Sequence, residues 1–198
     1  MRSFEEAVAL RRTNYALGKE IGISLEAILK SLETVIPAVP SAFNMQSARV
    51  VLALGDKHQE IWAITKAALQ KIVPEKNFPD TEAKINGFAA AHGTLLFFEE
   101  MGTVEHMQQA YAAYAENFPV WAQQANGMLQ FAMWTAFSEL GLGASLQHYN
   151  PLIDEPVKKM FEVPATWKLV AQMPFGEILA GPEPKEKLPI SERLRVCR

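Results

Sequence analysis

The stretch from Val120 to Leu140 constrains the fold of this chain more than any other. Pro119 precedes it and Gly141 is its natural C-cap. It is polar at first, along Gln123, Asn126 and Gln130, and then apolar nearly all round. That pattern predicts a long helix buried on most of its faces. The most apolar part, Met128 to Leu142, is interrupted by Gln130, Thr135, Ser138 and Glu139. It falls short of the ~20 mainly apolar residues that cross a bilayer, so no membrane insertion is expected.

The other segments supply the layers around such a helix. Ser3 with Glu5 and Glu6 reads as a helix start, giving a helix over 3–11. Ser24 caps a second helix whose Leu25, Ile28, Leu29, Leu32 and Ile36 recur at helical spacing, closed by Pro37 and Pro40. Ala48 to Leu54 is a β-branched and aliphatic run stopped by Gly55-Asp56, hence a buried strand and a turn. A helix is expected over 57–72, a proline-bearing loop over 74–81, a helix over 82–91 and a strand over 94–98. Residues 103–117 read as a short helix with Val104, Met107, Tyr111 and Tyr114 on one side, suited to a lid. A strand over 144–147, a helix over 153–160 and a strand over 167–173 closed by Pro174 follow, then a Pro-, Lys- and Glu-rich tail after Gly181. Helices outnumber strands, and the strands lie too far apart for hairpins. The expectation is one α+β layered domain over 1–198, its sheet covered by helices. At 198 residues and 49% apolar content the chain has enough material for one substantial core.

Charge and cysteine usage narrow the function. A formal charge of -3 leaves no global footprint for nucleic acid, so any anion site must be local. Cys197 is the single cysteine, which excludes an intrachain disulfide and points to a reducing cytoplasm. The N-terminal segment lacks the apolar run of a secretory signal. His58, His92, His106 and His148 form no metal-ligand spacing, and there is no G-x-S-x-G elbow, so neither a metal centre nor a serine hydrolase is expected.

Three stretches can carry chemistry. Arg11-Arg12-Thr13 places two guanidinium groups and a hydroxyl at a helix end, where they either grip a phosphate or neutralise the helix C-terminus in solvent. In Pro40 to Gln46, Ser41, Asn44 and Gln46 offer donors and acceptors to the edge of a polar heterocycle, or simply make a turn. Gly141-Leu142-Gly143 is no dinucleotide fingerprint, because the glycines follow a helix and the pattern fails at Leu146. The run Gln147-His148-Tyr149-Asn150-Pro151 beyond it concentrates hydrogen-bonding groups that line a ligand or close a loop. Trp134 and Phe137 read as core, whereas Phe43, Tyr111, Tyr114 and Phe118 are placed for stacking on a substrate.

Taken together these stretches resemble the FMN-dependent nitroreductase family, in its subgroup of small proteins of the fatty-acid-repression type. The matching residues are 11–13, 40–46, 93–100, 117–121, 141–151 and 167–176, with Gln-His-Tyr-Asn-Pro and Gln-Met-Pro-Phe-Gly the specific parts. The resemblance implies a central, mainly antiparallel sheet and an intertwined homodimer with FMN at the interface, the tail from about 182 reaching the partner. It assigns Arg11, Thr13 and, less directly, Arg12 to the FMN phosphate, with Lys185 and Lys187 as late cationic contacts, or Arg193 and Arg195 in their place. Asn44 and Gln46 meet the flavin ring with Ser41 from the partner subunit, and Gln147, His148 and Tyr149 pass along its face. The chain departs from the family where His148-Tyr149 replaces a Glu-Gly pair and Thr13 replaces a serine. The implied activity is NAD(P)H-dependent reduction of nitroaromatics, quinones or related acceptors. No essential acid–base side chain is implied, and His148 is a candidate proton donor. The alternative is a flavin-binding regulatory or lipid-response protein with incidental reductase activity.

Overall fold

The computed structural model describes residues 3–198. A five-stranded antiparallel sheet organises it: β1 (Leu17–Gly18), β2 (Ala48–Leu54), β3 (Gly93–Glu100), β4 (Gly143–Ala144) and β5 (Trp167–Ile178). Strands β2, β3 and β5 lie side by side in that order, with β3 central; β1 and β4 are short and both pair with β5. The helices are α1 (Phe4–Leu10), α2 (Leu25–Ala38), α3 (Gly55–Gln70), α4 (Phe78–Ala89), α5 (Met101–Ala110), α6 (Phe118–Glu139) and α7 (Asp154–Met160).

Alternation along the strands sends side chains to two separate cores. Leu95 and Phe97 of β3, with Ala171, Met173 and Phe175 of β5, pack against Ile28 and Leu32 of α2 and Leu129, Met133 and Phe137 of α6. Leu96, Phe98 and Leu169 point the other way, onto Ile61 and Trp62 of α3, Ile85 and Phe88 of α4, and Val157 of α7. The result is three layers, helices on both faces of the sheet. Each of these large side chains contributes roughly 1.5–3 kcal/mol by leaving water.

The strand expected at 48–54 has those bounds, and the one expected at 94–98 extends to Gly93–Glu100. Two proline-based expectations are corrected. Helix α4 begins at Phe78 inside the supposed loop, because Pro79 occupies the first turn, where no intrahelical N–H is required. Strand β5 runs through Pro174 to Ile178. Ser145 N–H donates to the Pro174 carbonyl. In an antiparallel strand the N–H and C=O of one residue face the same neighbour, so the missing donor of Pro174 lies on the irregular 143–147 side and costs the β3 ladder nothing. Pro37 likewise stays within α2, in its last turn. Residues 103–117 are not one helix: α5 ends at Ala110 and a 3-10 turn covers Ala112–Asn117.

Helix α6 ends at Glu139, with Gly141 at φ +80 supplying the left-handed residue that turns the chain back. It is buried along one stripe rather than on most faces, since Val120, Met128 and Phe131 remain exposed. Met128 and Phe131 line an open apolar groove of about 510 Å³ with Phe4 and Ala7 of α1 and Val35 and Val39 of α2. No helix among the described residues is long and apolar enough to cross a membrane.

Glu100 caps α5, accepting from the Gly102 and Thr103 amides. The Thr103 hydroxyl above all, helped by Thr166 and those amides, holds its carboxyl down to about 2. A carboxyl lowered on folding adds stability above its unfolded value near 4.5 and loses it as pH falls through about 2. Glu100→Ala should therefore cost about 1 kcal/mol at neutral pH. That difference in denaturant midpoint should shrink steadily as the pH is lowered toward 2.

Candidate functional site

The loop that joins α2 to β2 is bent by three non-glycine residues in the left-handed region: Phe43 (φ 55), Asn44 (φ 52) and Gln46 (φ 50). Such conformations cost on the order of 1–3 kcal/mol each and persist only where surrounding bonds enforce them. Here Ser41 Oγ accepts from Gln46 N–H (2.9 Å), and Arg49 Nη1 donates to the Gln46 carbonyl (2.6 Å). Met45 is buried against Val104, Phe118 and Ala122. Asn44 and Gln46 remain exposed, their side chains outside the bonds that shape the turn apart from a 3.4 Å contact between Gln46 Nε2 and the Asn44 carbonyl. Ser41, Gln46 and Arg49 border a cleft of about 360 Å³ whose apolar wall includes Val50, Ala125 and Leu129. Phe43 stacks on Trp121 with centroids 5.9 Å apart and lies 4.7 Å from Tyr111 and 5.8 Å from Tyr114, forming an aromatic platform at the loop tip.

Arg11 follows α1 and lays its guanidinium over the Trp134 ring of α6, 4.3 Å from the centroid. Its Nε is buried without a partner, as is Trp134 Nε1. Burial first, and Arg12 second, lower its pKa. Arg12 donates from Nη2 to the Glu183 carbonyl (2.5 Å), tying down the start of the tail. Thr13 forms a bridge with Ala144, and Asn14 N–H donates to the Ala144 carbonyl (3.0 Å), so residues 11–14 run beside the segment that follows α6.

That segment is fixed by β5. Gln147 exchanges both backbone hydrogen bonds with Gln172 and its buried Nε2 donates to Ser145 Oγ (2.7 Å). Tyr149 N–H donates to Gln172 Oε1 (2.8 Å), while its ring meets Trp62 edge-on at 6.0 Å. Burial, then Tyr15, push the Tyr149 hydroxyl up to about 12. Gln147 and Tyr149 thus turn their side chains into the protein, and His148 between them is exposed.

The fold sets the Arg11–Thr13 stretch, through Thr13, beside Ala144 at the head of the segment that carries Gln147–Tyr149. It does not bring Ser41, Asn44 and Gln46 to them within one chain. Both groups border α6, but Ala125 and Trp134 are separated by roughly 14 Å along its axis at 1.5 Å per residue. Lys185 and Lys187, like Arg193 and Arg195, are exposed on the extended tail and pack against neither group. Sequence reasoning missed Arg49, whose guanidinium braces the Gln46 carbonyl; it placed Trp134 in the core, where the ring does pack while also carrying Arg11 on its face. It also passed over Glu99 and Asn126, a buried polar pair behind the loop. A charged residue inside the apolar run Leu-Leu-Phe-Phe-Glu-Glu was the available signal.

The donor set at Arg11–Thr13 suits a phosphate: a cation with an unpartnered buried Nε beside a hydroxyl. Comparison with known proteins places the chain in a family. The family model described as the Nitroreductase family matches residues 8–177. The chain is 34% identical to the nitroreductase FRM2 of Saccharomyces cerevisiae over 188 residues, 92% of each protein. It is 40% identical to the nitroreductase CinD of Lactococcus lactis, solved in complex with chloramphenicol, with a TM-score of 0.91 over 99% of this chain and 100% of that one. A nitroreductase with bound FMN from Desulfitobacterium hafniense shares the fold at 16% identity, with a TM-score of 0.73 over the whole of both chains. The family model and the full-length yeast and lactococcal relatives agree with the three-layer sheet, and the chain therefore belongs to the nitroreductase family, whose members are oxidoreductases.

Proposed function

We propose that this protein is an FMN-dependent oxidoreductase that uses NAD(P)H to reduce nitroaromatics, quinones or related acceptors as a homodimer. The observation that carries the reading is the pair of half-sites: a cationic one at Arg11–Thr13 and a strained, outward-facing polar one at Ser41–Gln46. Set about 14 Å apart along α6, they are the two ends of one site that is completed across a two-fold axis in this reading. The apolar groove between α1, α2 and α6 and the exposed Leu188, Ile190, Leu194 and Val196 of the tail offer the surface such a dimer would bury.

In this reading Arg11 and Thr13 hold the phosphate, joined by Lys185 and Lys187 once the tail closes over it, while Arg12 keeps the tail in place through Glu183. The loop that meets the ring edge comes from the other subunit as one piece, Asn44 and Gln46 with Ser41 beside them. Gln147, His148 and Tyr149 pass backbone along the ring face, and exposed His148 holds the proton the acceptor takes up. FMN held by these residues would supply hydride transfer between NAD(P)H and the acceptor. The rings of Phe43, Tyr111, Tyr114 and Trp121 offer the acceptor an aromatic face, which favours planar substrates such as 4-nitrophenol, a ligand solved with the lactococcal relative.

Titrating the apoprotein with FMN should quench flavin fluorescence to an end point of one FMN per chain. Anaerobic NADPH should then bleach the flavin bands, and a nitroaromatic should restore them rapidly. A preparation that stays colourless after FMN addition overturns the proposal. Slow or absent bleaching replaces it with the regulatory reading, a flavin-binding protein with incidental reductase activity.

A further inference from the structure

Behind the Ser41–Gln46 loop lies an acid that the proposed reaction does not use. Glu99 is fully buried on β3, paired across the sheet with Ala48, the residue after Ser47. Its Oε2 accepts from Asn126 Nδ2 of α6 (2.9 Å), whose nitrogen also donates to the Phe98 carbonyl (2.9 Å). Gln130, one turn further along, donates to Asn126 Oδ1 (2.7 Å) and fixes that amide. Glu99 Oε1 and Ser47 Oγ are both buried without a formed hydrogen bond, and the Ser47 hydroxyl lies against the carboxyl.

We propose that Glu99 is a positioning residue for the loop, holding Ser47 from behind while Asn126 and Gln130 hold Glu99. Ser47 is where the left-handed run ends and β2 begins, and its carbonyl accepts from Glu100 N–H. A carboxyl clamped on one oxygen leaves the other free to bond the Ser47 hydroxyl, and so to fix the chain direction one residue from Gln46. That a buried acid is kept here, where an apolar residue would be cheaper, argues for such a task.

No charged partner among the described residues explains it. Arg49 acts on the carboxyl only at a distance, its Nη1 being committed to the Gln46 and Ala48 carbonyls. Glu100 beside it is turned to the start of α5, and Lys168, opposite on β5, acts on Asp154. Burial, above all, raises the Glu99 pKa, and a neutral acid can donate to Ser47 as well as accept. That this loop meets a flavin rests on the function proposed above; that Glu99 positions the loop does not.

The test is amide hydrogen exchange at Asn44, Met45 and Gln46 in the FMN-free protein, with FMN titration beside it. Glu99→Leu should speed exchange there at least tenfold and weaken FMN binding about fivefold, and Glu99→Gln, which keeps an acceptor for Asn126 and a polar group facing Ser47, should restore both. Leu69→Ala, in the opposite core, should lower the Tm without either effect. Unchanged exchange in Glu99→Leu, or an equal increase in Leu69→Ala, overturns the proposal. Should Glu99→Leu not fold, Ser47→Ala carries the same expectation and the same refutation. If the wild-type protein takes up no FMN, the functional reading fails while the exchange data still decide the role of Glu99.

Discussion

Arg11→Ala is expected to weaken FMN binding by roughly 10- to 100-fold while the chain stays folded. The magnitude is that of one charge-assisted hydrogen-bonded contact, about 1.5–3 kcal/mol, lost from the phosphate end of the site. Folding should survive because Arg11 forms no ion pair among the described residues; its packing is the face of Trp134 and the more distant Phe131 ring. A cation over an aromatic ring contributes about 0.5–1 kcal/mol at such a half-exposed site. Arg11→Lys keeps the charge but not the planar fork, and should fall between wild type and alanine. Arg12→Ala separates the two guanidinium groups: it releases the Glu183 carbonyl, so its effect should come through tail mobility rather than direct contact. Fluorescence titration of the apoproteins measures both, and a thermal melt of each variant checks the fold. Tight, unchanged binding in Arg11→Ala removes that residue from the site.

Much of this arrangement was readable along the chain, and the exceptions have a common cause. Strand β3 stands out locally because a central strand covered on both faces is nearly continuous in apolar residues, and edge strand β2 reads alike because its Val50, Val51, Leu52 and Ala53 alternate between the two cores. The α6 stripe was overestimated because an apolar residue facing a groove looks, in sequence, like one facing a core; Met128 and Phe131 are the instances. Pro79 and Pro174 misled because what a missing N–H costs depends on where it would have pointed. For the site, local chemistry nominated Arg11–Thr13 and Gln147–Tyr149 separately. What links the two stretches is the Thr13–Ala144 bridge, a contact across more than a hundred residues that no periodicity encodes. The role of Glu99 depends on Asn126 reaching it from α6, and is invisible for the same reason.

Gly176→Ala should be the most damaging single methyl that can be added to this fold's centre of convergence. An added Cβ would overlap the Gly18 carbonyl oxygen and stand 2.9 Å from the His92 backbone nitrogen. Neither is the end of a side chain that can swing away. The His92 N–H is committed to the Phe175 carbonyl, and His92 Nδ1 bonds the Lys19 carbonyl (2.8 Å), so β1, β5 and the start of β3 are locked around this residue. Relief requires β1 to leave β5, exposing the buried Leu17 and breaking the Leu179 N–H bond to the Ala16 carbonyl. Overpacking of this kind costs about 3 kcal/mol. For a domain of this size that is a fall of roughly 6–12 °C in Tm. Gly127, in the middle of α6, has nothing within 4 Å of an added Cβ. Its replacement by alanine should raise stability by up to about 1 kcal/mol through helix propensity alone. The two variants differ from wild type by the same methyl, so opposite shifts in their melts isolate the close approach as the cause. The damage in Gly176→Ala should also reach the proposed cofactor, because the tail carrying Lys185 and Lys187 leaves the sheet at the displaced end of β5. FMN affinity should drop with stability in that variant and stay at the wild-type value in Gly127→Ala. A Gly176→Ala protein that melts like wild type would mean that the three backbones do not meet there.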